Sequence, residues 1–317
     1  SDLWRLRPPG VALVALFVGL CYAVWQQGFP ASECLRETIY YCIRVYDSPG
    51  ANGRTVRSLA LDHLVHSFNS LEDPTYLHYG YLRVYEDVTA YVAGSEPAFR
   101  ALFLGGGGYT LPRALEVRYP RSRLEVIEID PEVTAVAYQE MGLPRDTRVV
   151  TYNHDGRLMV DELLRAGQRY HLIFGDAFND LSVPYHLTTR EFAEKVRGLL
   201  VDDGFYLVNV IDHLQEGQFI RAFARTLEEV FPHVYIMYEG APWESGGLST
   251  YVVVASNRPI DQEALERGAR QGGGDPVGTR IMPSERYRAW LAAVPAPVLT
   301  DEYAPVDNLI APNFLRR

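Results

Sequence analysis

The chain has 317 residues, a formal net charge of -10 from 30 Lys+Arg against 40 Asp+Glu, and 47% hydrophobic against 22% charged residues. These globular proportions exclude a disordered or fibrous chain. The acidic balance argues against a protein that coats nucleic acid, which needs cations to neutralise phosphates, and three cysteines without a CxxC pair cannot build a disulfide framework.

In chain order, Val11–Trp25 carries no charge, and with its flanks the uncharged stretch reaches about twenty residues, near the length that spans hydrocarbon. A transmembrane helix with its flank is therefore expected over 1–30, with Trp4, Tyr22 and Trp25 at the interfaces. A buried helix or a signal-peptide core is the alternative, but no A-x-A cleavage site follows. The first residue is Ser, which suggests a fragment of a longer chain. Arg5 and Arg7 place the preceding side in the cytoplasm and the remainder outside. Cys34 and Cys42 either pair in an oxidising compartment or stay as two free thiols.

Residues 37–47 and 54–60 alternate as strands, giving a small β-domain over 31–72. A helix is expected over 73–92, opening at Asp73-Pro74. From Arg100 short apolar strands alternate with helices: strands 101–104, 124–129, 148–152, 171–175 and 205–211, helices near 110–118, 131–140, 156–166, 188–200 and 215–230, then strands 234–238 and 251–255. Such alternation predicts a doubly wound, Rossmann-like α/β sheet over 73–257. Helices and a loose tail occupy 258–317.

The first of these strands ends in LGGGGYT, 104–110, where Gly105 and Gly107 let the backbone approach a ligand. Glu128 closes the next strand about 23 residues beyond Gly105, where an acid can accept from both ribose hydroxyls. Asn153-His154-Asp155-Gly156 follows the third strand; Asp155 and Gly156 suit an adenine edge, or form an ordinary turn or helix cap. The incomplete glycine pattern does not favour a pyrophosphate, so an S-adenosylmethionine-type nucleoside fits as well as NAD. The eight histidines show no metal spacing, and no metal is expected.

LALDHLVHS (59–67), DPTYLHY (73–79), LGGGGYT, VIEIDPEV (126–133), NHDGR (153–157) and GDAFNDLSVPYHLTTREF (175–192) together resemble the spermidine synthases, the polyamine aminopropyltransferases. With the tail TDEYAPVDNLIAP (300–312) they resemble the membrane-fused bacterial subgroup. The resemblance implies a class I methyltransferase-type fold. It also implies transfer of an aminopropyl group from decarboxylated S-adenosylmethionine to a polyamine such as putrescine, with release of 5′-methylthioadenosine. It makes Asp176 the proton acceptor, Glu128 the ribose ligand, and Asp155 and Gly156 the adenine contacts. Pro184 packs on the nucleoside, Tyr41 stands where a nucleoside-contacting glutamine is usual, and His78 contacts the polyamine. A homodimer is implied too.

The amine half departs from the family. Gly108 replaces the acid that grips the aminopropyl ammonium, Asn179 replaces a second acid, and Trp243 stands in for a tyrosine. Glu244, Asp301, Glu302 and Asp307 are candidate replacements. Gly108 also leaves room for a carboxylate, which keeps a methyltransferase open; a membrane-tethered nucleoside-binding module is a third reading. Because the co-substrate is made in the cytosol, the catalytic domain is expected on the cytoplasmic side of the cell membrane, against the arginine and cysteine signals.

Overall fold

The computed structural model describes residues 8–26, 33–50, 53–177, 183–240, 247–271 and 278–315. Trp4, Arg5, Arg7, Asn179, Trp243 and Glu244 lie outside them. The apolar N-terminal segment forms helix α1 (Pro8–Gln26), and Val11, Leu13, Leu16, Phe17 and Leu20 on it are exposed. The expected span is not supported: among the described residues no helix is long and apolar enough to cross a membrane. The 19 residues of α1, at about 1.5 Å each, reach about 28 Å against roughly 30 Å of hydrocarbon, and two prolines and a glycine occupy the first turn.

Strands β1 (Arg36–Glu37), β2 (Cys42–Pro49), β3 (Thr55–Leu61) and β4 (Leu64–Asn69) form an antiparallel sheet in sequence order. The expected helix over 73–92 starts later, as α2 (Gly80–Ser95). The Asp73 carboxylate accepts from both the Thr75 amide and its hydroxyl, and Pro74 cannot donate, so this stretch is a turn. His78 therefore precedes the helix.

The main body follows as β5 (Arg100–Leu104), α3 (Thr110–Arg118), β6 (Arg123–Glu128), α4 (Pro131–Gln139), β7 (Val150–Asn153), α5 (Gly156–Arg165), β8 (Tyr170–Gly175), α6 (Arg190–Leu199), β9 (Leu200–His213), α7 (Phe219–Glu228), β10 (His233–Glu239), β11 (Leu248–Ser256), α8 (Gln262–Gln271) and β12 (Thr279–Ile281), then α9 (Ser284–Ala293), α10 (Val306–Ile310) and α11 (Pro312–Leu315). The sheet runs β12-β10-β11-β9-β8-β5-β6-β7. The five strands from β7 to β9 are parallel, as expected; β11, β10 and β12 are antiparallel. The segment 240–247 between β10 and β11 is too short for a parallel crossover, so the mixed end follows from connection length.

Period-two alternation divides the core. Ala101 and Phe103 of β5 pack with α2, α3 and α4, while Leu102 and Leu104 pack with α5, α6 and α7 on the opposite face. Chain order reverses at β5 and β8, where Leu104 lies beside Gly175. Open α/β sheets bind ligands outside the carboxyl ends of strands at such a switch point, and Gly105 and Asp176 are the next residues of these two strands.

Candidate nucleoside and amine site

A cavity of about 550 Å³ opens at that switch point, lined by Gly105, Gly107, Glu128, Asp155, Gly156, Asp176, Pro184 and Tyr41 among others. Its volume lies within the range of small-molecule sites. The structure thus brings together from five loops all the expected nucleoside residues.

Each wall has a local cause. Gly105 has φ +100°, and a side chain there would run into the Asp176 carbonyl oxygen. The Gly106 and Gly107 amides donate to Glu128 Oε2 at 2.8 and 3.3 Å, and the Asp130 amide donates to Oε1 at 2.9 Å. Three donors leave a carboxylate about one open acceptor position. The Gly107 contact is the longest of the three. Burial pushes the Glu128 carboxyl above the ordinary range, against the pull of the three amides. Asp155 is also the cap of α5, accepting from the Leu158 amide at 2.9 Å, so the helix-cap reading holds while the residue lines the cavity.

Tyr40 and Tyr41 close the cavity from the β1–β2 turn. Thr38 Oγ1 accepts from their two amides and donates to Asp130 Oδ2 at 2.6 Å, tying the turn to the Glu128 loop. Cys34 and Cys42 form a disulfide across its base, which resolves the alternatives left by the sequence in favour of pairing. Closing so short a loop stabilises by about 2–3 kcal/mol through lost unfolded-state entropy. Replacing Cys34 and Cys42 together by serine is expected to lower the melting temperature and weaken methylthioadenosine binding roughly tenfold, the cost of ordering one or two residues. Calorimetry with and without reductant measures it, and an unchanged affinity would refute the link between staple and cavity.

At the other end, Asp176 accepts from Tyr81 Oη at 2.9 Å and Asn209 Nδ2 at 3.0 Å. Burial raises its carboxyl above the ordinary range; these two donors and the His66 ring pull it down. A second, narrow cavity, the arm, shares His66, Gly105, Gly107 and Asp176 with the first and is also lined by Ser67, Tyr81 and Tyr85. Burial and the Asp176 charge push the Tyr81 phenol well up, so it remains a donor. Tyr81, Asn209 and His66 were not legible as site residues. Tyr81 lies in a run with Tyr76, Tyr79 and Tyr85, a pattern more usual in helix packing than in a binding site, and Asn209 lies within an apolar strand.

The space expected beside Gly108 is absent. A Cβ there would meet Ser67 Cβ at 2.7 Å and Oγ at 2.9 Å, and the Ser67 hydroxyl already accepts from the Gly108 amide at 2.8 Å. The room for a carboxylate, on which the methyltransferase reading leaned, is filled by a neighbouring strand. Restoring the acid as Gly108→Asp is therefore expected to destabilise the fold by about 1–3 kcal/mol, as overpacking does, rather than to improve turnover. Thermal melting beside initial rates checks this; a Gly108→Asp protein both stable and faster would overturn it.

His78 does not line the described cavity: its Nδ1 lies 3.0 Å from Tyr76 Oη and its ring packs, tilted by 43°, with its centroid 4.3 Å from that of Phe68. Of the candidate replacement acids, Asp301 is engaged by Arg157 and Thr189, Glu302 is exposed, and Asp307 lines the cavity. Among the described residues no group of three or more His, Cys, Asp or Glu could hold a metal.

No family model matches the chain. It is 30% identical over 219 residues to the polyamine aminopropyltransferase of Vibrio vulnificus, covering 66% of this chain and 69% of that protein. It is 33% identical over 219 residues to the polyamine aminopropyltransferase of Pyrobaculum calidifontis, covering 66% and 71%. A crystal structure of a probable spermidine synthase from Corynebacterium glutamicum superposes with a TM-score of 0.70 at 21% identity, over 82% of this chain and 94% of that one; at that identity it speaks for the fold alone. Two relatives matched at this identity over more than two thirds of their own length settle the lineage, and the chain belongs to the polyamine aminopropyltransferase family, that of the spermidine synthases.

Proposed function

We propose that the protein transfers the aminopropyl group of decarboxylated S-adenosylmethionine to a polyamine such as putrescine and releases 5′-methylthioadenosine. The observation that carries this is Asp176, held by Tyr81 and Asn209 at the end of a cavity whose opposite end presents Glu128, Asp155 and Gly156. In the reaction the amine nitrogen attacks the carbon bonded to the sulfonium. The carbon–sulfur bond breaks with its electrons passing to sulfur, and the nitrogen surrenders a proton. Asp176 accepts that proton, because an ammonium has no lone pair with which to attack. Tyr81 and Asn209 orient the carboxylate, and Tyr41 and Pro184 enclose the nucleoside. Asn179 and Trp243 keep their amine-contact roles only as part of this proposal, and His78, packed on Phe68 outside the described cavity, is not assigned one. Incubation with decarboxylated or ordinary S-adenosylmethionine plus a panel of diamines tests it. Methylthioadenosine and an extended polyamine support it; S-adenosylhomocysteine, or unchanged co-substrate, overturns it.

We further read the chain as one of the membrane-fused subgroup, attached through α1, whose exposed uncharged surface would be covered by lipid. Flotation with liposomes should carry the full chain and leave a variant without residues 1–26 behind. The Cys34–Cys42 disulfide supports a location in an oxidising compartment over the cytoplasmic side expected from co-substrate supply. Labelling of these cysteines in intact cells with an impermeant reagent, only after reduction, would support that side. Ile39, Tyr40 and Tyr46, exposed on the small β-domain, fit a homodimer interface that analytical ultracentrifugation can test.

A further inference from the structure

We infer that His66 is a second proton-handling group of the reaction, working beside Asp176; this rests on the transferase reading above. His66 lies on β4 and lines both the main cavity and the arm, and in each it shares the wall with Asp176, Gly105 and Gly107. With Ser67 it brings the β-domain to the wall that Asp176 shares. Its ring lies close enough to the Asp176 carboxyl for the two to interact electrostatically.

The surroundings explain why a second group is needed. The titratable groups that line the arm with His66 are Asp176, Tyr81 and Tyr85; those that line the main cavity with it also include Glu128, Asp155, Asp307, Tyr40, Tyr41 and Tyr185, besides His154 and His186. Tyr81 and Asn209 both donate to Asp176, so two of its acceptor positions are already used. The ordinary site for an acid at position 108 is filled by Ser67. An imidazole can both accept and donate in the neutral range, which no other described side chain of the arm can do. The amine proton passes to Asp176, and His66 takes it onward from the carboxylic acid. The imidazole becomes imidazolium and Asp176 is returned to its ionised form. No other bond changes, so the charge balances with one proton lost from the amine and one gained by the ring.

His154 and His186 also line the main cavity and carry imidazoles too. A wild-type pH profile alone therefore decides nothing, and the test compares His66→Gln with wild type. The expected result is a kcat for aminopropyl transfer lower by roughly 100-fold, with loss of the rate limb in the neutral range and methylthioadenosine affinity by calorimetry within about twofold of wild type. The affinity also shows that the variant is folded, and His66→Ala gives a second reading. A wild type that turns over diamines while His66→Gln keeps both its rate and its profile overturns this assignment alone. A wild type that turns over no amine overturns the transferase reading and this assignment with it.

Discussion

Asp176→Asn should lower kcat for aminopropyl transfer by on the order of 10³-fold while leaving methylthioadenosine binding within a few-fold. The amide is nearly isosteric and can still accept from Asn209 through its oxygen, so the cavity keeps its shape. What it cannot do is take a proton, and positioned proton transfer is worth roughly 10²–10⁴ in rate. The same residue sets the acid limb of the wild-type profile. Burial raises the folded pKa of Asp176, partly offset by Tyr81, Asn209 and His66, so turnover is lost as pH falls through a value above the ordinary carboxylate range. Stability runs in the opposite sense. A carboxyl whose folded pKa is raised contributes stability that is full below its unfolded pKa and lost as pH rises through the folded one. The ligand-free protein therefore gives up part of this stability on going from mildly acidic to neutral pH, and Asp176→Asn should flatten that slope in melts across the interval. An Asn variant that keeps the wild-type rate would remove the proton acceptor from the scheme.

Glu128→Gln should weaken methylthioadenosine binding by roughly 100-fold. The carboxylate accepts from the Gly106, Gly107 and Asp130 amides, and each oxygen has at least one such donor. An amide replaces one acceptor oxygen with a donor, so wherever it points it faces a backbone N–H and leaves that group buried without a partner. It also loses charge-assisted contacts to the ribose, worth about 1.5–3 kcal/mol each, and one to two of them correspond to one to four decades of affinity. Isothermal calorimetry measures the loss. Unchanged binding would mean that the ribose sits elsewhere, and the whole orientation of the nucleoside would have to be reversed.

Because Gly108→Asp runs into Ser67, whereas Asp176→Asn and Glu128→Gln act on groups already in the cavity, the three variants separate two kinds of information. The sequence alone determined the parallel half of the sheet, the glycine turn after β5, the acids that close β6 and β8, and the family. These are local: a short apolar run names a buried strand, and the residue after it falls at the carboxyl edge whatever the rest of the chain does. The tertiary structure decided what depends on residues far apart in sequence. Ser67 fills the space beside Gly108 from a strand 41 residues upstream, Tyr81 and Asn209 meet on Asp176 across 95 and 33 positions, and His66 enters the site while His78 turns to pack on Phe68. The antiparallel half of the sheet and the closure of Tyr41 over the cavity belong to the same class. A sequence pattern reports which face of its own element a side chain occupies, but which other element comes to that face is set only when the β-domain docks on the α/β body.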